Sequence, residues 1–265
     1  MMTGQWLVGL GLAAAVVVAV AEDGAAERDS AQAVMDCMRA NIPQRLQLRE
    51  LELRNRDAEG ESSRIYRARV YLQRADGRAH MTSYIEAPVD MRGTAYLWRE
   101  LESRDETFVF IPELNRVRRV VGSGADAGVL DSEFSMRDLQ QAQGAFSSGQ
   151  QELLGSDELD GRPVWRMRFT PAPEEPTPYL HVDAAVDRES CVTLQAEFID
   201  GKGVVKRYHA DPDSLQTIGD LHFAQHIRMD NLRNERSSSA RLRELELPEE
   251  LPRRVFMPSA FYHGR

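Results

Sequence analysis

Catalytic signatures are missing from this 265-residue chain. No Gly-x-Ser-x-Gly occurs, and Gly122-Ser123-Gly124 lacks the strand-to-helix context that exposes a serine nucleophile. Gly122-x-Gly124-x-x-x-Gly128 has the wrong spacing for a dinucleotide-binding turn and follows a hairpin arm, not the first strand of a βαβ unit. His222 and His226 have the i, i+4 spacing of a helical zinc site. The alternation from His222 to Met229 reads as a strand, however, where that spacing is about 13 Å, too far to share a metal. No catalytic residue, metal or cofactor is therefore expected, and an enzyme is disfavoured. Excess positive charge is missing as well. The formal net charge is -9, which argues against a nucleic-acid partner. After residue 21 no apolar run is long enough to cross a bilayer. Cysteine is scarce: Cys37 and Cys191 allow one disulfide and no more.

The one long apolar run, Trp6 to Ala21, ends in Ala19-Val20-Ala21 and is followed by Glu22 and Asp23. A short apolar run closed by a small-x-small site is the pattern of a secretory signal peptide over residues 1–21. No Lys or Arg precedes Trp6, so an uncleaved anchor is the alternative. Residues 22–30 then form a linker and 31–265 one domain, with no internal repeat or central linker. Export to the periplasm would favour an oxidised Cys37–Cys191 pair, tying an N-terminal helix to the sheet. Two buried free thiols are the other reading.

Ser30 caps a helix from Ala31 to about Ala40, with Val34, Met35 and Met38 at helical spacing and Asn41-Ile42-Pro43 as its stop. The pattern then turns to period two. Leu46, Leu48, Leu51 and Leu53 mark a first strand with an irregularity near Glu50. Tyr66, Ala68, Val70 and Leu72 alternate with Arg67, Arg69, Tyr71 and Gln73, as in a half-buried antiparallel strand. Asp76-Gly77 and Asp160-Gly161 are hairpin turns. Roughly ten to twelve short strands in hairpin order, two helices and no βαβ alternation predict an α+β, mostly β fold: one large curved antiparallel sheet with helices on one side.

The stretch from Thr107 to Leu139 carries the functional expectation. A hairpin (Phe108–Ile111, then Val117–Val121) feeds a Gly-rich loop, Gly122 to Gly128, and a helix that Ser135 caps. A helix after such a loop, beside an apolar sheet, is a candidate lid, with Gly122, Gly124, Gly128, Phe134 and Leu139 as its gate. Two helices are little cover for so many strands, so the sheet is expected to enclose an apolar cavity. Trp98, Phe108, Phe110, Trp165, Met167, Phe169, Leu194 and Phe198 are the expected lining; an ordinary packed core is the plainer reading of the same residues.

Phe110-Ile111-Pro112-Glu113-Leu114-Asn115-Arg116-Val117-Arg118-Arg119, and Ser132-Glu133-Phe134-Ser135 with Asp138-Leu139, resemble the LolA-like outer-membrane lipoprotein-sorting family. Weaker echoes are Leu154-Gly155, Tyr179 to Val182, and Asp200-Gly201 followed by Lys206. The resemblance implies an unclosed β-barrel of LolA or LolB type around an apolar cavity, with helices as the lid. It implies a periplasmic carrier of lipid or lipoprotein acyl chains, monomeric, in lipoprotein sorting or lipid transport. The alternative it allows is an adaptor or sensor that holds an RND-type exporter or a signalling membrane protein. Arg116, Arg118 and Arg119 are then partner-contact candidates, against the simpler reading of a solvated hairpin face. The chain departs from the family pattern at Met136-Arg137, and at Ala125-Asp126-Ala127 where a basic stretch is expected.

Overall fold

A computed structural model describes residues 30–101, 105–120, 128–142, 149–175 and 177–263. The expected signal peptide, most of the expected linker and the gate residues Gly122 and Gly124 lie outside them.

Helix α1 (Ala31–Ala40) starts where the Ser30 side chain accepts from the Ala33 amide at 3.2 Å. It buries Val34, Met35 and Met38 and stops at Asn41. The Asn41 amide donates to the Ser190 carbonyl at 2.6 Å, and its oxygen accepts from the His222 backbone at 2.9 Å. A disulfide between Cys37 and Cys191, with Cα atoms 5.7 Å apart, fixes the same helix to the sheet.

Two meanders build the sheet. The first is β1 (Gln47–Arg56), β2 (Ser62–Ala75), β3 (Arg78–Ala87), β4 (Ala95–Arg99), β5 (Glu106–Ile111) and β6 (Arg116–Val120). The second is β7 (Gly149–Leu159), β8 (Arg162–Pro171), β9 (His181–Asp187), β10 (Thr193–Asp200), β11 (Gly203–Ala210), β14 (His226–Asn231) and β15 (Ser237–Glu246). The first strand pairs with the last, giving one antiparallel 13-stranded sheet in the order β6-β5-β4-β3-β2-β1-β15-β14-β11-β10-β9-β8-β7. It is not closed; β6 and β7 are its edges. The expected hairpins form at Asp76-Gly77 and Asp160-Gly161, where both residues of each pair have positive φ, as a type I′ turn requires.

The expected single strand from His222 to Met229 is corrected. It breaks at Gln225, whose amide donates to the Ser214 carbonyl and whose carbonyl accepts from the Leu242 amide. Leu221–Ala224 is a separate strand, β13, paired with β12 (Leu215–Ile218) in a small hairpin. The two histidines therefore sit on different strands, and His226 lies 3.4 Å from Asp211. These extra strands lift the total to fifteen among the described residues.

The chain leaves one edge of the sheet at β6 and re-enters at the other edge at β7. Between them, residues 128–142 cross one face of the sheet as a strap that ends in helix α2 (Met136–Ala142). Leu130 packs on Leu51, Ala68, Val70 and Met81, whereas Phe134 joins the cluster of α1 with Trp165, Met167, Phe169, Val182 and Phe198. The opposite face of β2–β6 is covered by the C-terminal tail. Phe261 and Tyr262 pack there on Tyr84, Leu97, Phe108 and Phe110, and the Thr82 and Tyr84 hydroxyls donate to the Val255 and Phe261 carbonyls.

Candidate functional site

Between the strap and the sheet lies a cavity of about 450 Å³, within the usual range of ligand sites. Leu51, Leu53, Tyr66, Ala68, Val70, Met81, Tyr96 and Trp98 form one wall. Tyr208, Ile227, Ala240, Leu242 and Leu245 form another, and Leu130, Phe134, Met136 and Leu139 of the strap form the cover. Strands β1–β6, β10, β11 and β13–β15 contribute to the lining, so the sheet curves round the space. A second concavity of the same volume runs along Asp157, Arg166, Asp183 and Glu197. It is charged, with Arg166 paired to Asp157 at 2.8 Å, and has no apolar wall of this kind.

Polar contacts on its buried side hold the cover in place. Ser135 caps α2: its hydroxyl accepts from the Asp138 amide at 3.0 Å, and the Asp138 carboxylate accepts from the Ser135 amide at 3.1 Å. Asp138 is 1% exposed, so its charge needs partners. Lys206 Nζ of β11 supplies one at 2.7 Å and the Tyr179 hydroxyl another at 2.9 Å. Lys206 also donates to the Glu133 carbonyl at 2.9 Å. The Glu133 carboxylate accepts from Asn231 at 2.8 Å and faces Arg236 at 3.3 Å, both at the β14–β15 turn. Arg137 lies 3.8 Å from Glu175. Gly128 closes the loop: it bridges to Ser135, and a Cβ there would run into the Ser132 carbonyl oxygen.

Trp98, Gly128, Phe134 and Leu139 lie on the cavity wall. The other expected lining residues do not, each for a physical reason. Trp165, Met167, Phe169 and Phe198 point toward the strap side of the sheet but are packed under α1 and Phe134, which leaves no space over them. Leu194 shares no face with Phe198. A register shift between Thr193 and Gln195 turns it to the other side, onto Val164, Ala185 and Leu215. Phe108 and Phe110 face outward beneath the tail, with Phe110 stacked on Tyr262 at 4.4 Å. Arg119 pairs with Glu106 at 2.9 Å. Arg116 and Arg118 are exposed on edge strand β6 and make no ion pair among the described residues.

The residue that sequence reasoning missed is Arg49. Continuous register with β2 pairs Gln47 with Leu72, Arg49 with Val70, Leu51 with Ala68 and Leu53 with Tyr66, so all four odd residues of β1 share the cavity face. The irregularity at Glu50/Leu51 belongs to the pairing with β15, not with β2. Leu48, opposite Tyr71, therefore faces outward. Arg49 lines the cavity between Val70 and Leu245. Its guanidinium donates to Gln47 Oε1, from Nε at 2.9 Å and from Nη2. Among the described residues no carboxylate pairs with it. Burial lowers its pKa from 12.5 to about 10, which leaves it cationic at neutral pH. Phasing back by twos from Leu53 and Leu51 is the signal that would have found it.

A family described as an uncharacterized protein matches residues 77–262, well over half of the chain. The chain belongs to this DUF1329-like family. Solved structures of the same fold include three from bacteria. A DUF1329 family protein from Desulfovibrio piger superposes with a TM-score of 0.77 at 21% identity, covering 88% of this chain and 99% of that one. A domain described as an outer membrane lipoprotein-sorting protein, from Vibrio parahaemolyticus, gives 0.75 at 19% identity, covering 89% and 99%. A LolA superfamily protein from Nitrosomonas europaea gives 0.64 at 18% identity, covering 86% and 97%. Among curated proteins none matches the chain in sequence. The LolA-like fold explains the motif residues physically: Glu133, Asp138, Tyr179 and Lys206, far apart in the chain, meet under the strap.

Proposed function

We propose that this protein is a periplasmic carrier, one domain over residues 31–265, that shelters the acyl chains of a lipid or a lipid-modified protein in the cavity under the strap. The observation that carries the reading is an apolar space of about 450 Å³ covered by a segment the chain lays across an open sheet. Each buried CH₂ of an acyl chain contributes about 0.8 kcal/mol, so a cavity that takes much of one chain competes with a membrane surface. No helix among the described residues is long and apolar enough to span a membrane. Covalent chemistry has no part in this mechanism: the cargo enters, is held by burial, and leaves.

Native mass spectrometry of the protein purified from its own periplasm tests this. A discrete adduct removed by organic extraction is the expected result. A bare mass, together with no uptake of the apolar dye N-phenyl-1-naphthylamine, would sink the carrier reading.

A second reading follows from Arg116 and Arg118, exposed on an edge strand and, among the described residues, without ion pairs. They would seat an acidic segment of a membrane partner, such as an exporter of the RND type. Charges also guard an edge against unwanted pairing. An R116E/R118E pair that leaves capture of that exporter unchanged would remove this reading.

A further inference from the structure

We propose that the cavity is built for an amphiphile with an anionic head, a carboxylate or phosphate carried on an acyl chain, and that Arg49 receives that head. This rests on the carrier reading above and names the chemical class of its cargo.

The argument begins with the inventory of the wall. Among the described residues it holds no Asp, Glu or Lys, and Arg49 is its one permanently charged side chain. A half-buried cation set among Val70, Leu245 and Leu51 is costly to keep unless something offsets its charge. Elsewhere in this protein buried charges are matched: Asp138 has Lys206, and Asp187 has Arg162 at 2.8 Å. Arg49 has only the neutral amide of Gln47.

Gln47 adds a second unmet need. It is 1% exposed, and its Nε2 has no hydrogen-bond acceptor. Its Oε1 is already engaged by Arg49. Arg49 on the wall, and Gln47 next to it on the same face but behind the lining, thus both carry donors that find no acceptor among the described residues beyond the bond between them. The Gln47 contact occupies the Nε side of the guanidinium and leaves the Nη1 end uncommitted. A planar guanidinium presents paired N–H groups that fit carboxylate and phosphate oxygens. A neutral or cationic head would leave the charge unmatched. With the head at Arg49, the apolar walls of β2–β4 and the strap cover the chain.

The test uses the full chain stripped of lipid and loaded with N-phenyl-1-naphthylamine. Palmitate, palmitoyl lysophosphatidate and hexadecanol are titrated to displace the dye. The acid and the phosphate are expected to displace it at concentrations about tenfold or more below the alcohol, as one charge-assisted hydrogen bond would give. In Arg49→Met that preference disappears while hexadecanol binds as before; Arg49→Lys keeps part of it. Millimolar acetate or inorganic phosphate should not abolish the preference. If either does, the site reads a free anion and the lipid-head proposal is wrong. Equal displacement by all three ligands in the unmodified protein overturns the inference but leaves the carrier reading intact. Failure of the dye and all three ligands to bind overturns both. Should Arg49→Met not fold, as judged by its circular dichroism melt, Gln47→Leu and the unmodified protein's own head-group preference decide the matter.

Discussion

Over β8–β11 the strap side of the sheet is filled, whereas over β1–β4 the same side is open. The filled half carries Trp165, Met167, Phe169, Tyr208 and Phe198, and α1 and Phe134 close over most of them. The open half carries Ala68, Val70 and Ser83 among its wall residues, and no α-helix among the described residues packs there. Curvature is common to both, so curvature alone does not make a binding space. Small side chains at Ala68, Val70 and Ser83, and a cover that packs on that cluster through Leu130, do. The filled half anchors the strap; the open half keeps the space beneath it.

The sharpest way to break this contrast is to truncate one large side chain in each half. Phe169→Ala is expected to cost about 3–5 kcal/mol in chemical unfolding, because it opens a hole in a packed region. Leu51→Ala borders existing space and should cost distinctly less, with dye uptake raised. Equal losses would mean that the cavity is closed in solution.

Next comes the anchor itself. Lys206→Met leaves the Asp138 carboxylate buried without its cation and should cost roughly 3 kcal/mol or more, read as a melting-temperature drop of about 6 °C or more. Asp138→Asn with Lys206→Met together should recover part of the loss. Smaller again is the disulfide: Cys37→Ser with Cys191→Ser is expected to cost about 2–4 kcal/mol and to spare the open half. Ala68→Phe should barely change stability but abolish dye uptake, since it fills the open wall without touching the filled one.

The smallest expected effect is a pH dependence confined to the filled half's outer rim. Burial alone would raise the Asp187 pKa, but hydrogen bonds from Arg162 and Ser190 outweigh it and hold the carboxyl below its usual range. A depressed folded-state pKa gives stability that is present above the unfolded value of about 3.9 and is lost as pH falls through the folded one. Urea midpoints should therefore decline below about pH 4, and less steeply in Asp187→Asn. A decline of the same slope in both would assign the acid sensitivity to other groups.

Local signals were the readable ones. Ser30 and the Val34, Met35, Met38 spacing specify α1, and Asp-Gly pairs specify two hairpins, because cap and turn chemistry act within a few residues. The LolA-like cover was legible through Ser132-Glu133-Phe134-Ser135 and Asp138. The cavity wall was not. Alternation along β5 separates Phe108 and Phe110 from Thr107 but cannot say which side is covered, and the covering Phe261 lies about 150 residues away. Counting Leu46 and Leu48 in phase with Leu51 and Leu53 is a one-residue slip, which turns Arg49 outward and hides the only permanent charge of the wall among the described residues. Leu194 was misplaced for the same kind of reason, a bulge that no composition announces.

The pairing of β1 with β15 bears on when the cavity comes into being. Leu48 lies opposite Glu246, so the first strand waits for almost the whole chain to be made before its second edge is satisfied. Leu245, the cross-strand neighbour of Arg49, arrives with that last strand, and the tail that covers Phe108 and Phe110 comes later still. Such long-range closure is slow compared with local hairpins. The meander β1–β6 therefore spends its early life as a bare sheet with an unpaired strand and two uncovered apolar faces. During that interval the nascent chain is itself a client in need of protection, and a C-terminal truncation of a dozen residues is expected to yield an aggregating protein rather than a weakened one.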